Sequence, residues 1–166
     1  MTAPKVAILM GSDSDYEKIE ALFKTLSQFG IPFTARVMSA HRTPAAVHEL
    51  ASQAEAKGIQ VMICAAGMAA HLAGVVASQT ILPVIGLPIK GGAVDGLDAI
   101  LSTLMMPPGI PVATVGLNAG ENAALLAAQI VARTDEAVAA KLRAHRADMA
   151  KKVAEKDAAL QKKIQS

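Results

Sequence analysis

At 166 residues the chain has the length of one domain and can bury roughly two thirds of its unfolded surface. A net charge of +2, from 16 Lys and Arg against 14 Asp and Glu, comes with no Trp, one Tyr and three Phe, so both the basic face and the stacking aromatics of a nucleic-acid binder are missing. With 52% apolar residues and so few rings, the core must be built from Ala, Val, Ile, Leu and Met.

In chain order, "KVAILM" (5–10) predicts a first strand ending at Gly11; its apolar run is too short for the hydrophobic core of a signal peptide. "SDYE" reads as a capping box from Ser14 to Glu17, opening a helix that runs to about Gln28 before Gly30 and Pro32 stop it. "FTARVMS" (33–39) predicts the second strand, with Thr43 as N-cap and Pro44 as first residue of a helix ending at Gly58.

Residues 58–89 contain no Asp, Glu, Lys or Arg, a length that exceeds a bilayer span. Gly67, Gly74, Pro83, Gly86 and Pro88 interrupt the run too often for one helix, so it reads as strand (59–65), helix (near 69–80) and strand (82–88), buried on all sides. So long an uncharged stretch also predicts contact with another copy of the chain. A helix near 95–105, a strand at 111–117 and a helix at 121–133 complete five βα units. That order predicts a doubly wound parallel sheet with helices on both faces, joined by right-handed crossovers.

Cys64 is the single cysteine and lies inside an apolar run, which excludes an internal disulfide and a cysteine-rich metal site and fits a reducing cytoplasm. Residues 134–166 are of a different kind, with eight basic and five acidic groups. Val138, Leu142, Met149, Val153, Leu160 and Ile164 recur at spacings of 4, 7, 4, 7 and 4, a narrow stripe on a charged helix. Such a helix would be about 45 Å long, so part of it is expected to reach a neighbouring subunit. A solvated helix resting one face on its own domain fits the same stripe.

In parallel sheets the ligand sits beyond the carboxyl ends of the strands. Five polar loops, 11–15, 39–44, 65–71, 87–96 and 116–123, are expected on that edge. "GSDSD" offers backbone N–H groups and hydroxyls that suit a phosphate, while Asp13 or Asp15 could accept hydrogen bonds from ribose; a plain helix cap has the same pattern. No Walker lysine and no G-x-G-x-x-G follows, which leaves ATP and dinucleotides without support. Arg42 supplies a fork-shaped cation for phosphate or carboxylate, or an exposed ion pair.

His41 is the best proton carrier available, because imidazole alone titrates near neutrality without help. A lone histidine more often fills a structural role. His41, however, shares its edge with Arg42, "GSDSD" and His71, whereas His48 and His145 fall on helices. No His/Asp/Glu spacing forms a metal cage and no nucleophile elbow occurs. The residues alone reach as far as acid/base chemistry on a phosphorylated small molecule.

Taken together, "MGSDSD", "SAHRTP", "AAHL", "MPPGIPVATV" and "NAALLAAQI", in this order over roughly residues 5–133, resemble the class I N5-carboxyaminoimidazole ribonucleotide mutases of purine biosynthesis. The resemblance implies a three-layer α/β/α flavodoxin-like catalytic domain over 1–133, with the helix of 134–166 packing on neighbouring subunits. It implies a homo-octamer with active sites between subunits, no cofactor and no metal. The implied reaction interconverts N5-carboxyaminoimidazole ribonucleotide and 4-carboxy-5-aminoimidazole ribonucleotide in the cytoplasm, with transient contact to the ATP-dependent enzyme that makes the substrate. His41 would protonate C4, the N-carboxylate would leave as CO₂, C4 would attack the trapped CO₂, and His41 would take the C4 proton back.

Ser12 and Asp15 match the family's binding residues in the first loop, and Arg42 matches the arginine that holds the 5′-phosphate. Ser39 and the Gly67 to His71 loop match positions at the carboxylate and imidazole end. Three residues depart from the pattern: Met68 where a glycine is common, Ala73 for a proline and Met105 for a glutamine. A related class carboxylates aminoimidazole ribonucleotide directly and carries a third loop like "GRSN", so His71 favours the mutase. A non-catalytic flavodoxin-like binding module is the remaining alternative; a receiver would need an aspartate where Cys64, Ala65 and Ala66 stand.

Overall fold

The structure is a computed structural model that describes residues 3–165. Five parallel strands, β1 (Val6–Met10), β2 (Phe33–Val37), β3 (Val61–Gly67), β4 (Val84–Ile89) and β5 (Ala113–Thr114), form one sheet in the order β2-β1-β3-β4-β5. β1 is an inner strand, pairing with the edge strand β2 from Val6↔Phe33 and with the central strand β3 from Val6↔Val61. Alternation along it divides the core in two. Val6, Ile8 and Met10 face a layer formed by α1 (Glu20–Phe29) and α5 (Gly120–Val131), while Ala7 and Leu9 face α2 (Pro44–Gln53) and α3 (Leu72–Ala77).

The aromatic-poor core allows close approach. On the α2/α3 face, α4 (Leu97–Leu104) lies so near β4 that a β-carbon on Gly86 would stand 2.3 Å from Thr103 Cγ2 and 2.9 Å from Val112 Cγ1. Ala123, Ala124, Ala127 and Ala128 let α5 do the same on the other face. The uncharged stretch 58–89 is indeed β3, α3 and β4, and among the described residues no helix is long and apolar enough to cross a membrane.

Several local expectations change. The Ser14 to Glu17 capping box does not form: Ser12 is the cap, its Oγ accepting from Ser14 N at 3.3 Å, and two 3₁₀ turns (Asp13–Asp15, Glu17–Ile19) precede α1. An earlier hydroxyl on the loop reaches the free N–H first, and the α-helix begins at Glu20, five residues later than the box implied. Thr43 does precede α2, but its hydroxyl turns back to Ser39 rather than capping. α3 is shorter than the expected 69–80, because Met68 is left-handed (φ 57) and His71 N bonds Ala69 O, delaying the start. β5 shrinks from the expected 111–117 to two residues: Pro111 lacks an N–H donor at its start, and left-handed Asn118 turns the chain away beyond its end.

The last helix, α6 (Glu136–Gln165), is anchored only at its start. Val138 and Leu142 are buried, Lys141 Nζ donates to Phe29 O at 3.0 Å and so caps α1, and Lys5 pairs with Asp135 at 2.7 Å just before the helix. Every described residue from Arg146 onward is exposed, including Val153 and Ile164.

Candidate active site

The second loop is locked by its own small hydroxyls. Ser39 N donates to Thr43 Oγ1 at 2.9 Å, Thr43 Oγ1 donates to Ser39 O at 3.1 Å, and Arg42 N donates to Ser39 Oγ at 3.2 Å. Short polar side chains that bond nearby backbone hold such turns in one conformation. His41 and Arg42 therefore leave a fixed knuckle between β2 and α2. Arg42 reaches across the end of β1, where Nη2 donates to Gly11 O at 3.0 Å.

His71 arrives from the far side of β1, in the loop after β3. His41 Nε2 and His71 Nδ1 are 3.0 Å apart, with the rings nearly perpendicular at 85°. One nitrogen must donate and the other accept, so the contact holds a single proton between two imidazoles. Both rings are exposed to the cleft they border.

That cleft has a volume of about 550 Å³, within the range of small-molecule sites. Four of the five expected loops line it: Ser12 and Asp15 from the first, Ser39, His41 and Arg42 from the second, Gly67 and His71 from the third, and Lys90 with Gly91 from the fourth. Of the candidate site residues named from the sequence, Ser12, Asp15, Ser39, His41, Arg42, Gly67 and His71 are thus brought to one place, while Asp13, the other ribose candidate, does not line the cleft. The fifth loop stays behind, and its Asn118 Oδ1 accepts from Lys90 N at 2.9 Å, bracing the fourth. A larger open cleft of about 760 Å³ at the opposite edge, bordered by Ser52, Glu55, Ile81 and Pro111, holds no histidine and no cation.

Asp15 is almost fully buried, and desolvation raises its carboxyl above the ordinary value, against the opposing pull of Lys18 and a backbone hydrogen bond from Ser12. Lys18 was not singled out by sequence, yet it lines the cleft and its Nζ donates to Lys90 O at 3.0 Å, joining the first and fourth loops. Its spacing of three from Asp15, one turn onward, was the available signal. Among the described residues no group of three or more His, Cys, Asp or Glu could hold a metal ion. Cys64, buried beneath the third loop, has its thiol pushed far up by burial.

Sheet order and cleft define a flavodoxin-like α/β protein whose ligand edge is organised around a histidine pair and a tethered arginine. The family model described as AIR carboxylase matches residues 5–152, and the chain belongs to that family. The N5-carboxyaminoimidazole ribonucleotide mutase of Methanocaldococcus jannaschii is 52% identical over 148 residues, 89% of this chain and 92% of that protein. The mutase of the same name from Mycobacterium leprae is 46% identical over 159 residues, 96% and 93% of the two chains. The crystal structure of Treponema denticola PurE has a TM-score of 0.85 at 35% identity, covering 93% of this chain and 97% of that one.

Proposed function

We propose that this protein is an isomerase that interconverts N5-carboxyaminoimidazole ribonucleotide and 4-carboxy-5-aminoimidazole ribonucleotide in purine biosynthesis. The names of relatives about half identical over most of the chain support the reaction. The observation that carries the assignment to this cleft is the His41–His71 contact beside Arg42.

In this reading Arg42, held by Gly11 O, presents its remaining N–H groups to the 5′-phosphate, with Ser12 beside it. Asp15 accepts from the ribose hydroxyls, and Ser39, Gly67 and His71 border the imidazole and carboxylate end. His41 gives a proton to C4, the N–C bond to the carboxylate breaks, and neutral CO₂ is released inside the cleft. As His41 takes a proton back from C4, the electron pair left on carbon attacks CO₂ and forms the new C–C bond. The remaining C4 hydrogen is then lost as N5 is protonated, which restores the aromatic ring and the free amine. Proton and CO₂ each leave and return, so the net change is an isomerisation. His71 steadies the imidazole and shares its proton between turnovers.

The exposed apolar residues Leu97, Leu101 and Leu104 along α4, with the free stripe of α6, support a homo-octamer whose sites lie between subunits and whose residues 134–166 pack on neighbours of the 1–133 domain. A cytoplasmic location and transient contact with the ATP-dependent enzyme that supplies the labile carbamate complete the reading.

The test supplies N5-carboxyaminoimidazole ribonucleotide and, separately, aminoimidazole ribonucleotide with bicarbonate, and follows the 4-carboxy product. Rapid conversion of the carbamate alone supports the mutase. Efficient use of the second pair at low CO₂ would replace it with direct carboxylation, and conversion of neither would leave a binding protein.

A further inference from the structure

Met68 occupies a backbone position that residues with a β-carbon avoid, at φ 57. Burial does not compensate it, since the side chain is 62% exposed. Strained positions of this kind persist where the surroundings fix them, and they cluster at functional sites. The surroundings here are specific. Ser102 Oγ, on α4, accepts from Ala70 N at 2.9 Å and reaches Met68 O at 3.5 Å, which fastens the third loop. The fourth loop is held at Lys90 by Lys18 on one side and Asn118 on the other.

Between these two fixed rims lies Met68 itself. It lines the cleft three residues before His71, and a β-carbon on Gly92 would stand 3.1 Å from Met68 Cγ. Gly92 is left-handed too, at φ 72. Two left-handed residues therefore face each other across the mouth, one bearing a side chain and the other none.

The chemistry of the proposed reaction gives that side chain a task. Released CO₂ carries no net charge, so Arg42, Lys18 and the histidines cannot hold it as they would an anion. Retention depends on apolar enclosure. Ile89 and Leu72 are already buried in the floor and Ala66 and Ala69 offer only methyl groups, which leaves Met68 as the long, adaptable apolar group on the solvent side.

We propose that Met68 is the apolar cover of the cleft, a positioning residue that closes the gap between the third and fourth loops and keeps CO₂ in place between its release from nitrogen and its capture by C4. This inference rests on the mutase reading.

The test uses the intact protein and three variants, Met68→Gly, Met68→Ala and Met68→Leu, each given unlabelled N5-carboxyaminoimidazole ribonucleotide in ¹³C-bicarbonate buffer. The readouts are the share of carboxylated product carrying the label and the amount of aminoimidazole ribonucleotide released, corrected for spontaneous decarboxylation. Loss of the cover should raise both by about tenfold in the Gly and Ala variants, while Leu, which restores apolar bulk, stays near the parent protein. The Gly variant should melt no lower than the parent, because it relieves the left-handed position. Equal label uptake and equal release in all four active proteins would overturn the inference and leave the mutase reading standing. A parent protein that makes no carboxylated product from the carbamate would overturn both.

Discussion

His41 and His71 touch although thirty residues separate them and β1 runs between the strands that carry them. Strands two places apart lie about 10 Å from each other, so the contact exists only because both loops fold inward over the end of β1. The tight Ser39 to Thr43 knuckle delivers one ring, and the turn at Met68 to His71 delivers the other.

Replacing His41 with Asn should lower kcat by about 10²–10⁴-fold, the usual scale for a lost general acid/base, with oligomer size and circular dichroism unchanged. His71→Asn should cost less, since it steadies the proton carrier without delivering the proton to carbon. Steady-state rates of the two variants check both the loss and its order; a fully active, folded His41→Asn protein would refute the role.

Arg42→Lys keeps the charge and loses the fork. Lysine cannot both hold Gly11 O and meet a phosphate with parallel N–H groups, so KM should rise about 10-fold or more while kcat changes less. Substrate saturation curves separate the two parameters.

Asp15→Asn should stabilise the fold and weaken binding. Because burial raises the folded carboxyl above its ordinary value of 3.8, the native state holds more protons between those two values, and stability falls as pH rises through that window. The Asn variant escapes this fall: it should melt higher than the parent at pH 7, and the difference should vanish below the ordinary value. Losing a charged acceptor should raise KM by about 10–100-fold. Melting curves against pH and substrate titration give the two results.

Gly86→Ala introduces a methyl group where Thr103 Cγ2 stands at 2.3 Å and Val112 Cγ1 at 2.9 Å. Neither neighbour can retreat easily, Thr103 being buried and bonded to Ala99 O at 2.7 Å. Forcing α4 off β4 should cost about 1–3 kcal/mol, read as a lower urea midpoint.

Among the described residues, removing 147–166 deletes only exposed side chains of one chain, so it should leave the secondary structure of residues 3–146 intact. If that helix packs on neighbours, light scattering should report a smaller assembly than the full-length protein forms.

Much of this was legible in sequence because the signals were local or periodic. The βα order came from apolar runs ending in glycine, and the shared edge of the loops followed from parallel strands. Ser12, Asp15, Ser39, His41, Arg42, Gly67 and His71 could each be named from motifs, and all line one cleft. What failed depended on competition or distance. The Ser14 box lost to Ser12, a contest between two hydroxyls that spacing cannot decide. The Lys18 to Lys90 bridge spans 72 residues, and the Arg42 to Gly11 tether needs the register of two strands. Met68 was visible as an odd residue, but its place opposite Gly92 was not.

The scarcity of aromatic rings has an optical consequence. Tyr16 is the sole tyrosine in a chain without tryptophan, and it follows directly on Asp15, stacked on Phe23 with ring centroids 5.2 Å apart. Nearly all ultraviolet emission must then originate beside the first loop of the cleft. The protein carries its own single-site fluorophore, so a change in its intensity on titration with ligand would report occupancy without any label.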